Sequence, residues 1–443
     1  MKGREIVLLI FILVAGVLLT QTYRGNINWE WGWDDWNGSI FGPSHEFTAQ
    51  ESRTIEPPLP AEVAVDNRHG EVEIVPAADG RITVVLEKRA RRRTEEEARA
   101  AAEGLHLTLD QQGSKLVLST NRDEFRRGFN TVFRISVPEG LPVDVRNSYG
   151  PVKAVGTGRT KVDNTHGSVT LQDIRGPLTC QTSYEDVMVT DAAADCEVDC
   201  RNGAVTILRV KGTLRVSASY DRVRVEEAEG EVVINGSHAD ILGRRLGGPV
   251  RVETTYRDIN LAEVGPATVV GHHSAIEVKG VRGDLDLSDT YGGAKVEDIQ
   301  GGLVVHGRSL EVSGRGLSGP TLSISTTYRD VDLAGFSGKT EITIAHGDVS
   351  LRPERIAGGI EVKGEYSEIR LEWPAGAESP VEARARDGRV RWSLPVGPDL
   401  EQKNGFSLLK AFGRVEGRAG VILNTTHGDI IIEPARPPEK ENI

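Results

Sequence analysis

Apolar and polar residues alternate along this chain in short runs, and the runs return at a fixed interval. In GSVTLQDIRGPLTCQTSYEDV, Val169, Leu171 and Ile174 are followed, after the break Gly176-Pro177, by Leu178. Short alternating runs bounded by turn residues mark strands with one buried face, so each unit predicts two or three short strands. No unit holds a helical pattern between its strands, which excludes a doubly wound sheet with helical crossovers.

The interval is carried by tyrosines. Tyr149, Tyr184, Tyr220, Tyr256, Tyr291, Tyr328 and Tyr366 follow one another at 35, 36, 36, 35, 37 and 38 residues, and His166, Asn202, His238, His273, Gly307 and His346 fall midway. Each anchor opens a similar phrase, such as NSYGPVKA, NTHGSVTL, TSYEDVMV, TTYRDINL or AHGDVSL. A period of about 18 residues, alternating in pairs, means stacked units that bury a core only through their neighbours. The fold predicted is all-β: a parallel β-helix, or solenoid, whose coils lie roughly 4.8 Å apart. A β-propeller, which needs four strands and about 40 residues per blade, is the alternative. In the solenoid the anchors align as a structural ladder of stacked rings, with Asn202 as one rung.

The flanks divide the chain further. Residues 1–23 contain the apolar run Ile6 to Leu19 behind Lys2 and Arg4 and read as an uncleaved transmembrane anchor, basic end cytoplasmic, with a cleaved export signal as the alternative. Residues 24–59 form a Trp-rich juxtamembrane linker in which Trp29, Trp31, Trp33 and Trp36 either rest on lipid headgroups or offer a sugar- or peptide-binding face. Residues 60–145 read as a small α/β cap at the N-terminal end of the solenoid, with His69 in the anchor place and a helix from Glu95 opened by the capping box Thr94–Glu97. Within it Lys88, Arg89, Arg91, Arg92 and Arg93 read as a solvated turn offset by Glu95, Glu96 and Glu97. Residues 146–434 are the repeat domain, in which the insert from Pro395 to Gly420, carrying Phe406, Leu408, Leu409 and Phe412, is expected to lid the last coil. Residues 435–443 are a loose, charged, Pro-rich tail.

Composition adds two limits. Fifty glycines and nine phenylalanines suit many tight turns around a thin Val, Ile and Leu core. A net charge of −12 gives a nucleic-acid partner no electrostatic support from the whole chain.

The phrase VFRISVPEGLPVDVRNSYGPVKAVG, the recurrent NTHGSVTLQDIRGPL and the closing ILNTTHGDIIIEP resemble the bacterial putative-adhesin family of β-strand-repeat proteins, a domain of unknown function, over roughly residues 60–434. The resemblance implies an exported β-helix-like domain behind an N-terminal hydrophobic segment. It transfers no catalytic residue.

Candidate chemistry is tested against the repeat. Histidines in one column lie two coils apart, about 9.6 Å, too far to share a zinc ion. Asp186, Asp240, Asp258, Asp330 and Asp348 each sit two residues after an anchor, and aligned coils would bring Asp240 beside Asp258 and Asp330 beside Asp348 at about 5 Å, the spacing of a retaining glycosidase pair. TTYRD occurs twice, however, which favours a structural turn that accepts a backbone N–H. No GxSxG, HExxH or Walker loop is present, and no cofactor is implied. Cys180 lies two residues out of register with Cys196 and Cys200, so buried thiols are expected rather than a disulfide.

The reading is a membrane-tethered, extracytoplasmic β-helix of the bacterial cell envelope. It acts as an adhesin-like binding module for an envelope polysaccharide or protein, without catalysis. The alternatives are a structural or stress-signalling scaffold beside a membrane protein and, third, a polysaccharide-active enzyme.

Overall fold

The computed structural model describes residues 45–122, 128–413 and 419–435. The apolar run expected as an anchor, the four tryptophans Trp29, Trp31, Trp33 and Trp36, and the tail from 436 lie outside the described residues. Among the described residues no helix is long and apolar enough to cross a membrane.

The chain divides into two compact units. The smaller holds residues 89–104 and, of the described N-terminal residues, 45–49. Its helix, Glu95–Gly104, starts where the capping box predicts: the Glu97 N–H donates to Thr94 Oγ1 at 3.2 Å and the Thr94 N–H to Glu97 Oε2 at 3.3 Å. Three glutamates in the first turn complement the helix dipole, and the alanines that follow have the highest helix propensity.

The larger unit is an all-β parallel solenoid. Val169 pairs with Val187, and Val187 with Val205, so one coil is 18 residues and the strands of each coil lie against those of the next. Alternation puts one set of side chains inside. Leu178, Cys196, Leu214, Val232 and Val250 form one buried column, and Val187, Val205, Val223, Ile241 and Ile259 another. Each buried Val, Leu or Ile contributes roughly 1.5–3 kcal/mol relative to exposure, and here it does so only because its copy sits above and below.

A third interior column runs two residues before the anchors. It is made of polar residues at the start: Asn67 Nδ2 donates to Asn147 Oδ1 at 3.1 Å, and Asn164 Nδ2 to the Gly167 carbonyl at 2.7 Å. These amides occupy the carbonyls that the tight corner turns inward. Further along, Thr254 Oγ1 does the same toward the Ala239 carbonyl, and the buried Asp289 accepts backbone N–H groups from His273, Ser274 and Tyr291.

The two ends correct the expected organisation. Strand Glu62–Pro76 does not belong to a separate cap ending at 145. It is a full coil of the stack, pairing on one side with Val143–Tyr149 and Val152–Val155 and on the other with Lys115–Thr120 and Phe129–Val137. The last repeat behaves alike: Val421–Thr426 pairs with Ile360–Glu365 on one side and with Val381–Arg386 on the other. The coil that carries Asp387 is therefore outside the coil that carries His427, the reverse of their order in sequence. Antiparallel strands follow at both ends, Leu107–Gln112 on Lys115–Thr120, and Phe406–Ala411 then Asp399–Lys403 on Val381–Arg386. Asp399–Lys403 is exposed throughout and rich in charge, which discourages pairing with another chain.

Two smaller expectations also change. In the lid, Leu409 is buried and Phe412 stacks on Trp373 with centroids 5.7 Å apart, but Phe406 is exposed. The basic run is no solvated turn, because Lys88 to Arg92 lie in strand Ile82–Arg92 and only Arg93 follows it. Lys88 points inward, donating to the Leu105 carbonyl at 2.7 Å and to Glu51 at 3.3 Å, while Arg91 pairs with Glu46 at 3.6 Å in the smaller unit. Burial pushes the Glu51 carboxyl up, but the Leu107 N–H and the Lys88 ammonium outweigh it and hold it below the ordinary carboxylate value.

Candidate functional site

Each coil turns a sharp corner at the anchor. From Tyr220 onward the ring-bearing residue itself takes the left-handed conformation, Tyr291 excepted, with φ of 65° at Tyr220, 60° at His238, 59° at Tyr256, 63° at His273 and 56° at Tyr366. In the earlier coils the residue after the ring does so, as at Gly167 with φ 136°. A left-handed aromatic costs roughly 1–2 kcal/mol. What it gains is stacking on both faces.

The rings form three tiers. His69, Tyr149, His166 and Tyr184 stack at 4.6, 4.7 and 4.6 Å. Tyr220, His238, Tyr256, His273 and Tyr291 follow at 5.5, 5.2, 5.0 and 4.9 Å. Tyr328, His346, Tyr366 and His427 close the column at 5.0, 4.8 and 4.5 Å. His69 and His427 are thus end rungs that the tyrosine count alone omits. Every tyrosine of the ladder is exposed, from 41% at Tyr291 to 57% at Tyr220 and Tyr256, so the phenol hydroxyls stand in a line on the surface.

Two rungs between the first and last rings lack a ring. Asn202 pairs with Tyr184 and turns its amide to the Ser183 carbonyl at 3.1 Å. The second is Ser309, not Gly307: Gly292 pairs with Leu310, which sets Ser309 beside Tyr291, and Ser309 has φ 57° like the ring residues. Gly307 instead pairs with Asp289 inside the coil.

The aspartates after the anchors tie coil to coil. Asp186 accepts from the Ala204 N–H at 2.9 Å, Asp330 from Asp348 at 2.8 Å, Asp348 from Glu368 at 2.9 Å, and Asp240 from Asp258 at 3.4 Å, with Arg257 3.9 Å from Asp240. A carboxylate engaged with a backbone N–H of the next coil is a clamp, repeated as often as the turn. The cysteines are free and buried, with Cys180 opposite Val198, Cys196 opposite Leu178 and Cys200 opposite Thr182. Burial pushes the Cys196 thiol up to about 12 and the Cys200 thiol up to about 11, and raises Cys180 further still. Among the described residues no three metal-ligating side chains gather.

A second left-handed corner is invisible to the search for apolar period. Asp173, Asp191, Arg209, Glu227, Arg245 and Glu263 occupy it at successive coils, with φ between 53° and 61°. Their charges interlock: Arg209 grips Asp191 through two nitrogens at 2.6 and 2.8 Å, and Arg245 reaches Glu227 at 2.7 Å. The Arg209 guanidinium holds the Asp191 carboxyl below its ordinary value. A groove of about 750 Å³ runs along this corner over Ile174, Ala192, Val210 and Ala228. Charged residues at steps of 18 were the available signal.

The repeats from Val250 onward are similar to a known family. Residues 250–433 match the Toastrack DUF4097 family. The match begins at strand Val250–Thr255, which leads into TTYRD, and ends within the strand after His427; of the phrases that resemble the adhesin family it includes the closing ILNTTHGDIIIEP up to Glu433, while the other two lie before it. Two solved structures are similar to the chain. A putative cell adhesion protein from Clostridium sporogenes is 10% identical, with 88% of this chain and 100% of that chain covered and a TM-score of 0.18. A putative adhesin from Parabacteroides distasonis is 11% identical, with 73% and 97% covered and a TM-score of 0.15. At those scores neither carries an argument about function. No curated protein matches the chain.

Proposed function

We propose that this protein is an adhesin-like binding module of the bacterial cell envelope, held at the membrane by the apolar run Ile6 to Leu19 with the solenoid outside the cytoplasm. The observation that carries the reading is the exposed ring column. Tyrosines recur every second coil, about 9.6 Å apart, on a corner fixed by backbone pairing. That step is of the order of one extended disaccharide, so a periodic glycan meets the same group at each repeat. A rigid row of weak contacts gains affinity by multivalency without an enclosed pocket.

The test is retention of the full chain, in detergent, on purified envelope polysaccharides, compared with a Tyr220→Ala/Tyr256→Ala/Tyr328→Ala variant. Retention that falls by at least about tenfold in the variant supports the reading. Absence of retention, with co-purification of a membrane protein from crosslinked cells, replaces it with the scaffold.

A further inference from the structure

The missing ring at Ser309 differs from the one at Asn202 in what surrounds it. Around Asn202 the side chain fills its own rung, and Glu185, Asp186 and Asp199 stand nearby in the paired coils. At Ser309 only a hydroxymethyl group stands between Tyr291 and Tyr328. The strands on either side of this corner advance by 19 residues here, Leu303 to Leu322 and Val312 to Val331, which places Tyr328 one rung beyond Ser309. The two tyrosines are then two coil steps apart, about 9.6 Å, leaving room for one ring stacked on both faces as the histidines are elsewhere.

A depression of about 360 Å³ begins one residue before this gap, on the strands that lead into the corner. Its outward side chains are His272, Ser288, Thr290, His306, Arg308 and Ser325, and its one carboxylate, Asp289, is engaged by three backbone N–H groups. Arg308 is exposed and makes no ion pair among the described residues. On a chain of net charge −12, a hydroxyl-lined hollow with a free guanidinium is the reverse of the average surface.

We infer that the gap at Ser309 is a binding slot for one sugar ring of an acidic glycan. The pyranose lies between the faces of Tyr291 and Tyr328, its hydroxyls meet Ser288, Thr290 and Ser325, and its carboxylate pairs with Arg308. A guanidinium matches a carboxylate in a two-pronged geometry. An aromatic side chain of a peptide has the same thickness but none of the polar groups this floor offers, so the lining favours the sugar. The inference rests on the binding-module reading and narrows it to one rung and one class of ligand.

The experiment measures binding of the full chain to a hexameric oligogalacturonate, to its methyl ester and to a Phe-rich peptide, by calorimetry. Ser309→His completes the ladder with a residue that the left-handed corner already accepts at His273 and His346, so folding is kept and the slot is filled. Oligogalacturonate binding should fall by at least about tenfold in Ser309→His. Arg308→Gln should weaken the acid by about tenfold and leave the ester unchanged. Equal binding by parent and Ser309→His, no binding of the oligogalacturonate by the parent, or preference for the peptide overturns the slot. Retention on envelope polysaccharide that survives Ser309→His but is lost when Tyr220, Tyr256 and Tyr328 are all changed to Ala sinks the slot and leaves the binding module standing.

Discussion

His427 stacks on Tyr366 with ring centroids 4.5 Å apart and planes 8° from parallel, although the chain between them has already built another coil and a hairpin. The contact exists because the last repeat returns to lie between two coils laid down before it. On its outer side His427 Nε2 is 3.5 Å from Asp387 of the coil that covers it.

Removal of that returning repeat separates two coils that do not otherwise touch through strands Ile360–Glu365 and Val381–Arg386. A chain ending at Gly413 should therefore lose protection of residues 381–411 as a block while coils before Tyr328 keep theirs. Hydrogen exchange followed by mass spectrometry reads this directly; uniform protection along the truncated chain would contradict it.

At Tyr256 stacking and backbone strain oppose each other, since the ring touches His238 and His273 while φ is 59°. Tyr256→Ala keeps the strain and loses both stacks, whereas Tyr256→Gly loses the stacks and relieves the strain. The glycine variant should be more stable than the alanine variant by about 1 kcal/mol, measured from urea midpoints. The opposite order would mean the corner relaxes once the ring is gone.

Gly167 has φ 136°, and a β-carbon there would lie 2.1 Å from the Gly150 carbonyl oxygen. Gly167→Ala should cost about 2 kcal/mol or more, because backbone rather than a flexible side chain must move. A thermal midpoint unchanged from the parent would show that the two coils can separate locally.

The thiols supply a fourth measurement. Burial holds Cys180, Cys196 and Cys200 protonated at neutral pH, so labelling by a maleimide should be negligible in buffer and become complete in denaturant. Fast labelling of native protein would place at least one thiol at the surface.

The pH dependence follows from His69. Burial lowers its imidazole below the ordinary value of about 6.5, and Arg122 and Arg68 add repulsion. The unfolded chain takes up this proton first as pH falls, so the contribution of neutral His69 is complete above about 6.5 and declines as pH drops from there through the lower folded value. The urea midpoint should fall between about pH 7 and 5, and His69→Gln should flatten part of that fall. A His69→Gln curve parallel to that of the parent would assign the acid sensitivity to other groups.

The coil period is legible in the chain because it is written twice, in the tyrosines from Tyr149 to Tyr366 and in the alternation of residues such as Val169 and Leu171. The fold-backs are not. Val421–Thr426 looks like any other repeat strand, and nothing local to it says whether it follows Val390–Trp392 or slides in beneath it, since β pairing is decided by distant partners. Ser309 is hidden because the His-Gly of HGRSLEV reads as an anchor phrase shifted by two; the 18-residue step holds through Gly307 and Leu310, and the extra residue of this coil comes later, between Leu317 and Leu322. The column from Asp173 to Glu263 is hidden because it is a period of charges, whereas the apolar alternation that marks the strands passes over it.

Closure at each end by the chain's own return has an evolutionary consequence. The middle of the stack can lengthen or shorten without exposing a raw edge, provided the change is a whole Tyr–His pair. Each inserted pair would extend the surface by about 9.6 Å and keep every later phenol in phase. The molecule is in that sense a ruler whose reach is set by gene duplication, with its terminal fittings left untouched.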